Sequence, residues 1–172
     1  RDHIFVDCAP VGLAGRGGHG HNDALAFEAV LDSCRLIVDR GAYAYTLDPE
    51  ARNEFRSTPS HNTPSINAIE INAIPANDPW TLRYEAHPHV HRWEPGPEAD
   101  LFQGSHTGYH KLHPPVTPLR TIQLVHEHHL LLVRDEFRGE TGIGYSLQTA
   151  CYLDPTVSVK SVDSDSLMLQ TF

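Results

Sequence analysis

The sequence predicts an all-β fold, a large antiparallel β-sandwich, and three observations predict it. Helical periodicity is scarce, and short apolar runs are separated throughout by Gly, Pro, Asn and Asp. The 172 residues suit one domain, 1–172, with a single sizeable core. About a dozen short runs with frequent turn signals favour two packed sheets over a barrel or an α/β arrangement.

In chain order, the expected strands are His3–Cys8, Leu25–Leu31, Arg35–Asp39, Asn62–Ile66, Glu70–Ala73 and Tyr84–Trp93. They continue with Asp100–His106, Thr117–His126, Leu130–Phe137, Gly144–Tyr152, Val157–Ser161 and Ser166–Phe172. Within Leu25–Leu31, the residues Leu25, Phe27, Ala29 and Leu31 alternate with positions such as Glu28 and should face the core. Thr117–His126 and Leu130–Phe137 form the clearest hairpin, with Glu127-His128-His129 at its tip. One helical turn is expected at Pro49–Arg56, because Asp48 can cap it and Pro49 suits its first position. Pro95-Gly96-Pro97 reads as a turn within the domain. Both ends read as strands already under way, which suggests a fragment.

Composition narrows the function. A hydrophobic share of 40% and a charged share of 20% suit a globular protein. No apolar run approaches the roughly 18 residues of a membrane-spanning helix. The net charge of −9 argues against nucleic acid, whose phosphates need a basic surface. An anionic sugar stays open, since a local cluster of Arg and His overrides the global sign. Cys8, Cys34 and Cys151 show no C-x-x-C spacing and are expected as buried free thiols. Histidine is over-represented at 13 residues, which directs attention to metal or proton chemistry.

The densest motif is Gly15-Arg16-Gly17-Gly18-His19-Gly20-His21-Asn22-Asp23. A nucleotide loop is disfavoured, because no Lys-Ser/Thr follows and the next segment reads as a strand. On an extended segment His19 and His21 would point the same way, able to share a metal or divide its work. Leu36-Ile37-Val38-Asp39-Arg40-Gly41 is an apolar strand that delivers a carboxylate at its end. Phe55-Arg56-Ser57-Thr58-Pro59-Ser60-His61-Asn62-Thr63 places an imidazole between a loop and a strand. Two imidazoles and one carboxylate, His21, Asp39 and His61, suit zinc with a fourth position left open.

Those blocks resemble the heparinase II/III-like family. Gly18-His19-Gly20-His21-Asn22-Asp23-Ala24-Leu25-Ala26-Phe27 is similar to its G-H-x-H-x-D-x-L-x-F segment. The Asp39 block, Asp48-Pro49-Glu50-Ala51-Arg52-Asn53-Glu54-Phe55-Arg56 and Ser60-His61-Asn62-Thr63 follow in the family's order. The resemblance implies a zinc ion held by His21, Asp39 and His61, and His19 facing a substrate cleft as a catalytic residue. It also implies an α/α-toroid domain packed on the sandwich, which supplies further catalytic residues and lies outside this sequence. The implied reaction is β-elimination on a uronic-acid-containing polysaccharide, the implied location periplasmic or secreted. Arg56 and Tyr45 are expected to bind the acidic sugar. Two other readings are a carbohydrate-binding or structural module that keeps the zinc site without catalysis, and a zinc-dependent hydrolase.

The sequence departs from the family pattern at Arg40, where Pro is usual, and at Glu54, where Tyr often precedes the Phe-Arg pair. A carboxylate at position 54 would repel a uronate unless Arg52 or Arg56 pairs with it. Elsewhere, His87, His89 and His91 should share one face of a strand, as a solvated edge or a second metal site. Tyr109 could stack on a sugar, and Tyr43 and Tyr45 are expected in core packing or on the cleft wall.

Overall fold

Alternating apolar residues in the first strands create one buried face. In the computed structural model, which describes residues 1–140 and 144–171, β1 (His3–Val6) pairs antiparallel with β2 (Phe27–Leu31). In turn, β2 pairs with β3 (Cys34–Ile37) across the turn at Asp32-Ser33, where both residues have positive φ. Leu25, Phe27 and Ala29 are buried, as their alternation predicts, whereas Leu31, expected with them, is only half-buried at the strand's end. They pack on Phe102 and Ile122 of a second sheet, with Ile4, Val6 and Ile37 around them. The two sheets therefore share this core.

That second sheet runs β5-β6-β7-β8 in sequence order. Its strands span His89–Glu94, Ala99–Ser105, Thr117–Val125 and Leu130–Arg138. The predicted hairpin holds in register from Thr117↔Arg138 to Val125↔Leu130. Its tip is a single 3-10 turn, His126–His128, closed by His129 at φ 49°. Between the sheets in sequence lie α1 (Pro49–Phe55) and β4 (Pro64–Ile66). Asp48 caps α1 as expected, its carboxylate accepting from the Ala51 N–H at 2.9 Å. Two smaller ladders complete the set: β4 with β9 (Leu147–Thr149), and β10 (Val157–Val162) with β11 (Leu167–Thr171). The fold is mostly β, with antiparallel sheets and one α-helix among the described residues. No helix among the described residues is long and apolar enough to cross a membrane. Phe172, in the last expected strand, lies outside the described residues.

Three expectations need correction. Glu70–Ala73 forms no strand, because side chains satisfy its backbone: the Ile71 N–H donates to Thr58 Oγ1 and the Ala73 N–H to Glu85 Oε2. The first half of Tyr84–Trp93 is likewise irregular, with the Glu85 and Ala86 N–H groups both donating to Asn72 Oδ1. The cysteines are free, but Cys34 and Cys151 are exposed rather than buried.

Candidate functional site

Residues 7–26 form the long connection between β1 and β2, and its base is tied like a ladder. The Asp7 N–H donates to Ala26 O at 2.9 Å, and the Leu25 N–H to Asp7 O at 2.7 Å. Above that base the glycines permit close packing. A Cβ at Gly20 would meet Val11 O at 2.5 Å, and Gly17 has φ +65° with Val11 against it.

The loop is then fastened to the Ser60–Thr63 segment. Thr63 Oγ1 donates to Ala24 O, and Arg120 Nη1 donates to the carbonyls of both Leu25 and Asn62. The Asn62 side chain donates to Phe27 O and Val38 O and accepts from the Tyr152 N–H, so it holds three segments at once. Asn22, fully buried, exchanges hydrogen bonds with Asn72 and donates to Glu70 Oε2. These polar side chains fix the backbone on either side of His21 and His61.

The result brings His21, Asp23 and His61 together, with one possible ligand atom from each lying within 4.8 Å of the others. The two imidazole centroids are 5.1 Å apart. Asp39 stands behind this group: its Oδ2 is 2.6 Å from His61 Nδ1, and its Oδ1 accepts from the Gly41 N–H. That bond puts the His61 proton on Nδ1 and leaves Nε2 as the acceptor. Nε2 is buried and has no partner among the described residues. An orphaned buried nitrogen beside a second imidazole and a carboxylate is what a metal-binding group requires. The donors fit a cation.

Electrostatics agree. Burial pushes the His21 imidazole down to about 4, with His61 a lesser cause, so at neutral pH it is neutral, the form a metal ligand needs. Burial and then the Asp7 charge push the Asp23 carboxyl up to about 6. Burial also works against the Asp39 carboxylate, but the hydrogen bond and charge of His61, with the Gly41 N–H, outweigh it and leave the group below its ordinary value. A divalent ion would relieve the crowding of Asp7, Asp23 and Asp39.

His19 does not follow His21 into this group. It is exposed, and its ring lies 5.6 Å from Tyr45 and 5.9 Å from Trp80. Both histidines nevertheless line one cavity of about 280 Å³, together with Asp7 and Asp23. Tyr45 is 46% exposed and Tyr43 lies against Phe55, so neither is a core residue. Arg56 is fully buried, donating to Asn53 Oδ1 and to the carbonyls of Pro79, Thr81 and Asp78. It has no exposed donor to offer a substrate; it shapes the loop that carries Trp80. Glu54 pairs with neither Arg52 nor Arg56 but with Arg40, at 3.4 Å. The two departures from the family pattern thus meet each other. Tyr109 is fully buried with its hydroxyl donating to Pro64 O, which rules out sugar stacking. His89 and His91 approach at 4.7 Å across a β-bulge, but no third ligand joins them among the described residues.

Sequence reasoning gave no role to Asp23, Asp7 or Trp80, and offered Arg52 only as a partner for Glu54. Asp23 was the most accessible of these, since it continues the alternation of His19 and His21. Trp80 was not, because 58 residues of intervening chain separate it from His21 until the fold closes.

A mostly-β domain with a histidine–carboxylate group set on loops between its sheets defines a sandwich with a candidate metal centre. The chain belongs to the heparinase II/III-like, C-terminal family, whose model matches residues 3–171, and so is a polysaccharide-lyase family domain. Solved structures agree on the fold. The heparinase III BT4657 gene product gives a TM-score of 0.60 at 20% identity, covering 80% of this chain and 19% of that chain. Heparan sulfate lyase HepC from Pedobacter heparinus gives 0.58 at 21%, with 80% and 19% covered. The BT4657 product with methylated lysines gives 0.62 at 18%, with 98% and 24% covered. The chain therefore spans only about a fifth to a quarter of the length of these proteins. No curated protein matches it significantly.

Proposed function

We propose that this is the zinc-binding domain of a polysaccharide lyase that cleaves a uronic-acid-containing polysaccharide by β-elimination. The observation that carries the reading is the orphaned Nε2 of His61, buried beside His21 and Asp23 while Asp39 holds its other nitrogen. His21 and His61, with carboxylate from Asp39 or Asp23, would hold the zinc; bound there, it would lock the loops and neutralise the buried carboxylates.

Elimination needs the uronate carboxylate neutralised, the adjacent proton removed and the departing glycosidic oxygen protonated. His19, exposed and lining the shared cavity, would neutralise the carboxylate or carry a proton. Tyr45 beside it offers an apolar face to a sugar ring. An α/α-toroid domain supplies the remaining groups in this reading. A polymer too large to enter cells calls for a periplasmic or secreted enzyme.

The test is product analysis with the full protein on glycosaminoglycan and alginate substrates. A lyase leaves an unsaturated sugar end that absorbs in the near ultraviolet; cleavage without that chromophore would point to a hydrolase. The Arg40–Glu54 pair supports a second reading, a sugar-binding module without catalysis. Zinc and sugar bound with no cleavage would establish it.

A further inference from the structure

One buried guanidinium group, that of Arg52, lies against the rings near His19, and a second, that of Arg56, grips the loop that carries Trp80. Arg52 is 1% exposed, and it donates only to Pro79 O and Gly18 O. Arg56 donates to carbonyls of the same 78–81 loop. Neither forms an ion pair among the described residues. The Arg52 guanidinium carbon lies 4.9 Å from the centroid of Tyr45 and 4.7 Å from that of Trp80. Those two rings are nearly parallel, 8° apart, with centroids separated by 6.4 Å.

The 78–81 loop is built for rigidity. Its carbonyls are gripped by both arginines, and the Trp80 N–H donates to Asp78 Oδ1 at 2.9 Å. Trp80 O lies so near Gly18 that a Cβ there would meet it at 3.1 Å, which locks the loop to the histidine-bearing segment. Rigid, part-exposed aromatic rings at a cleft are the usual means of holding a ligand's apolar face. A buried cation without a counter-charge projects a field through low-dielectric surroundings and favours an anion at the surface above it.

We propose that Trp80, Tyr45 and His19 form a subsite for an anionic pyranose, a uronate residue, in which Trp80 is the stacking wall and Arg52 the fixed positive charge beneath. The chain's net charge of −9 would otherwise repel such a ligand, so the local field decides the outcome. The inference rests on the polysaccharide reading of the site, but it is independent of the elimination chemistry.

Trp80 and Trp93 are the two tryptophans, and Trp93 lies on β5, away from this loop. In the full protein, the emission that differs between the Trp93→Phe and Trp93→Phe/Trp80→Phe forms is that of Trp80. Binding is followed by its fluorescence with a tetrasaccharide of alternating glucuronate and N-acetylglucosamine, against a neutral N-acetylglucosamine tetrasaccharide. The uronate ligand alone should change the emission, and the binding should weaken as salt rises. Calorimetry should show Trp80→Ala and Tyr45→Ala each weakening uronate binding, Trp80→Ala by about tenfold or more, with Trp80→Phe close to wild type. Zinc content should be unchanged in all three. Unchanged affinity in Trp80→Ala and Tyr45→Ala overturns the subsite, as does equal response to the neutral sugar. In the full protein, uronate binding without unsaturated product would sink the lyase reading and leave the subsite standing.

Discussion

Asp39 Oδ2 lies 2.6 Å from Nδ1 of His61, and this contact decides which imidazole nitrogen faces His21 and Asp23. The consequence is a division between a candidate ligand and the group that orients it. With Asp39 bonded to Nδ1, the carboxylate gathered with the two imidazoles is that of Asp23.

The first prediction separates the two aspartates. Asp39→Asn should lower metal affinity by about 10–100-fold, the usual effect of losing a carboxylate that orients a ligating imidazole. Asp23→Asn should lower it at least as much if Asp23 is itself a ligand, and only weakly if the resemblance is right that Asp39 coordinates. Chelator competition on the purified variants ranks the two directly.

A second prediction concerns Arg120, fully buried, which forms two 2.7 Å hydrogen bonds with Asp135 and donates to Leu25 O and Asn62 O. Arg120→Met removes the cation and leaves the Asp135 carboxylate and two carbonyls short of partners. The expected loss is about 3–5 kcal/mol of stability. Because Asn62 adjoins His61 and Leu25 lies two residues from Asp23, metal affinity should fall with it. Denaturant unfolding with and without zinc measures both effects; a loss under about 1 kcal/mol would contradict the account.

His106 supplies a pH prediction remote from the metal centre. Its ring is buried, with Nδ1 accepting from the Gly108 N–H and Nε2 unpartnered, and Tyr109 packs 5.5 Å away. Burial pushes its imidazole from 6.5 down to about 3, and the positive charges of His110, Arg120 and Lys111 act in the same direction. The native state therefore refuses a proton that the unfolded chain accepts. Stability from this residue is complete above 6.5 and is lost as pH falls towards 3. The slope approaches about 1.4 kcal/mol per pH unit at most. His106→Asn should flatten the wild-type decline between pH 6.5 and the onset of carboxylate titration, read from urea midpoints at a series of pH values.

Local chemistry made much of this legible in the sequence. The hairpin β7–β8, the Asp48 cap and the buried alternation of β2 follow from rules that act over a few residues. The family blocks likewise contain both imidazoles of the candidate metal group. What escaped depends on distant partners. Glu70–Ala73 has strand-like alternation, yet Glu70 Oε2 is taken by Asn22 and Thr58, so its polar groups turn inward. Arg56 looked like a substrate grip because no local rule shows that its donors meet carbonyls more than 20 residues ahead. Trp80 reaches His19 through those same bonds.

The last prediction addresses the paired departures, Arg40 and Glu54. Arg40 donates to Ser60 Oγ and reaches Glu54 at 3.4 Å, and its guanidinium carbon lies 4.5 Å from the Phe55 centroid. Glu54 is well exposed, so the ion pair itself should contribute no more than about 1 kcal/mol. A double-mutant cycle of Arg40→Ala and Glu54→Ala should give a coupling within that limit, while Arg40→Ala alone should lose more through its packing on Phe55. If Glu54 merely occupies a position where a tyrosine would assist elimination, Glu54→Tyr should raise lyase turnover and leave zinc binding untouched. No gain would mean that the domain works without that hydroxyl, or that it binds sugar and does not cleave it; the unsaturated product distinguishes those two outcomes.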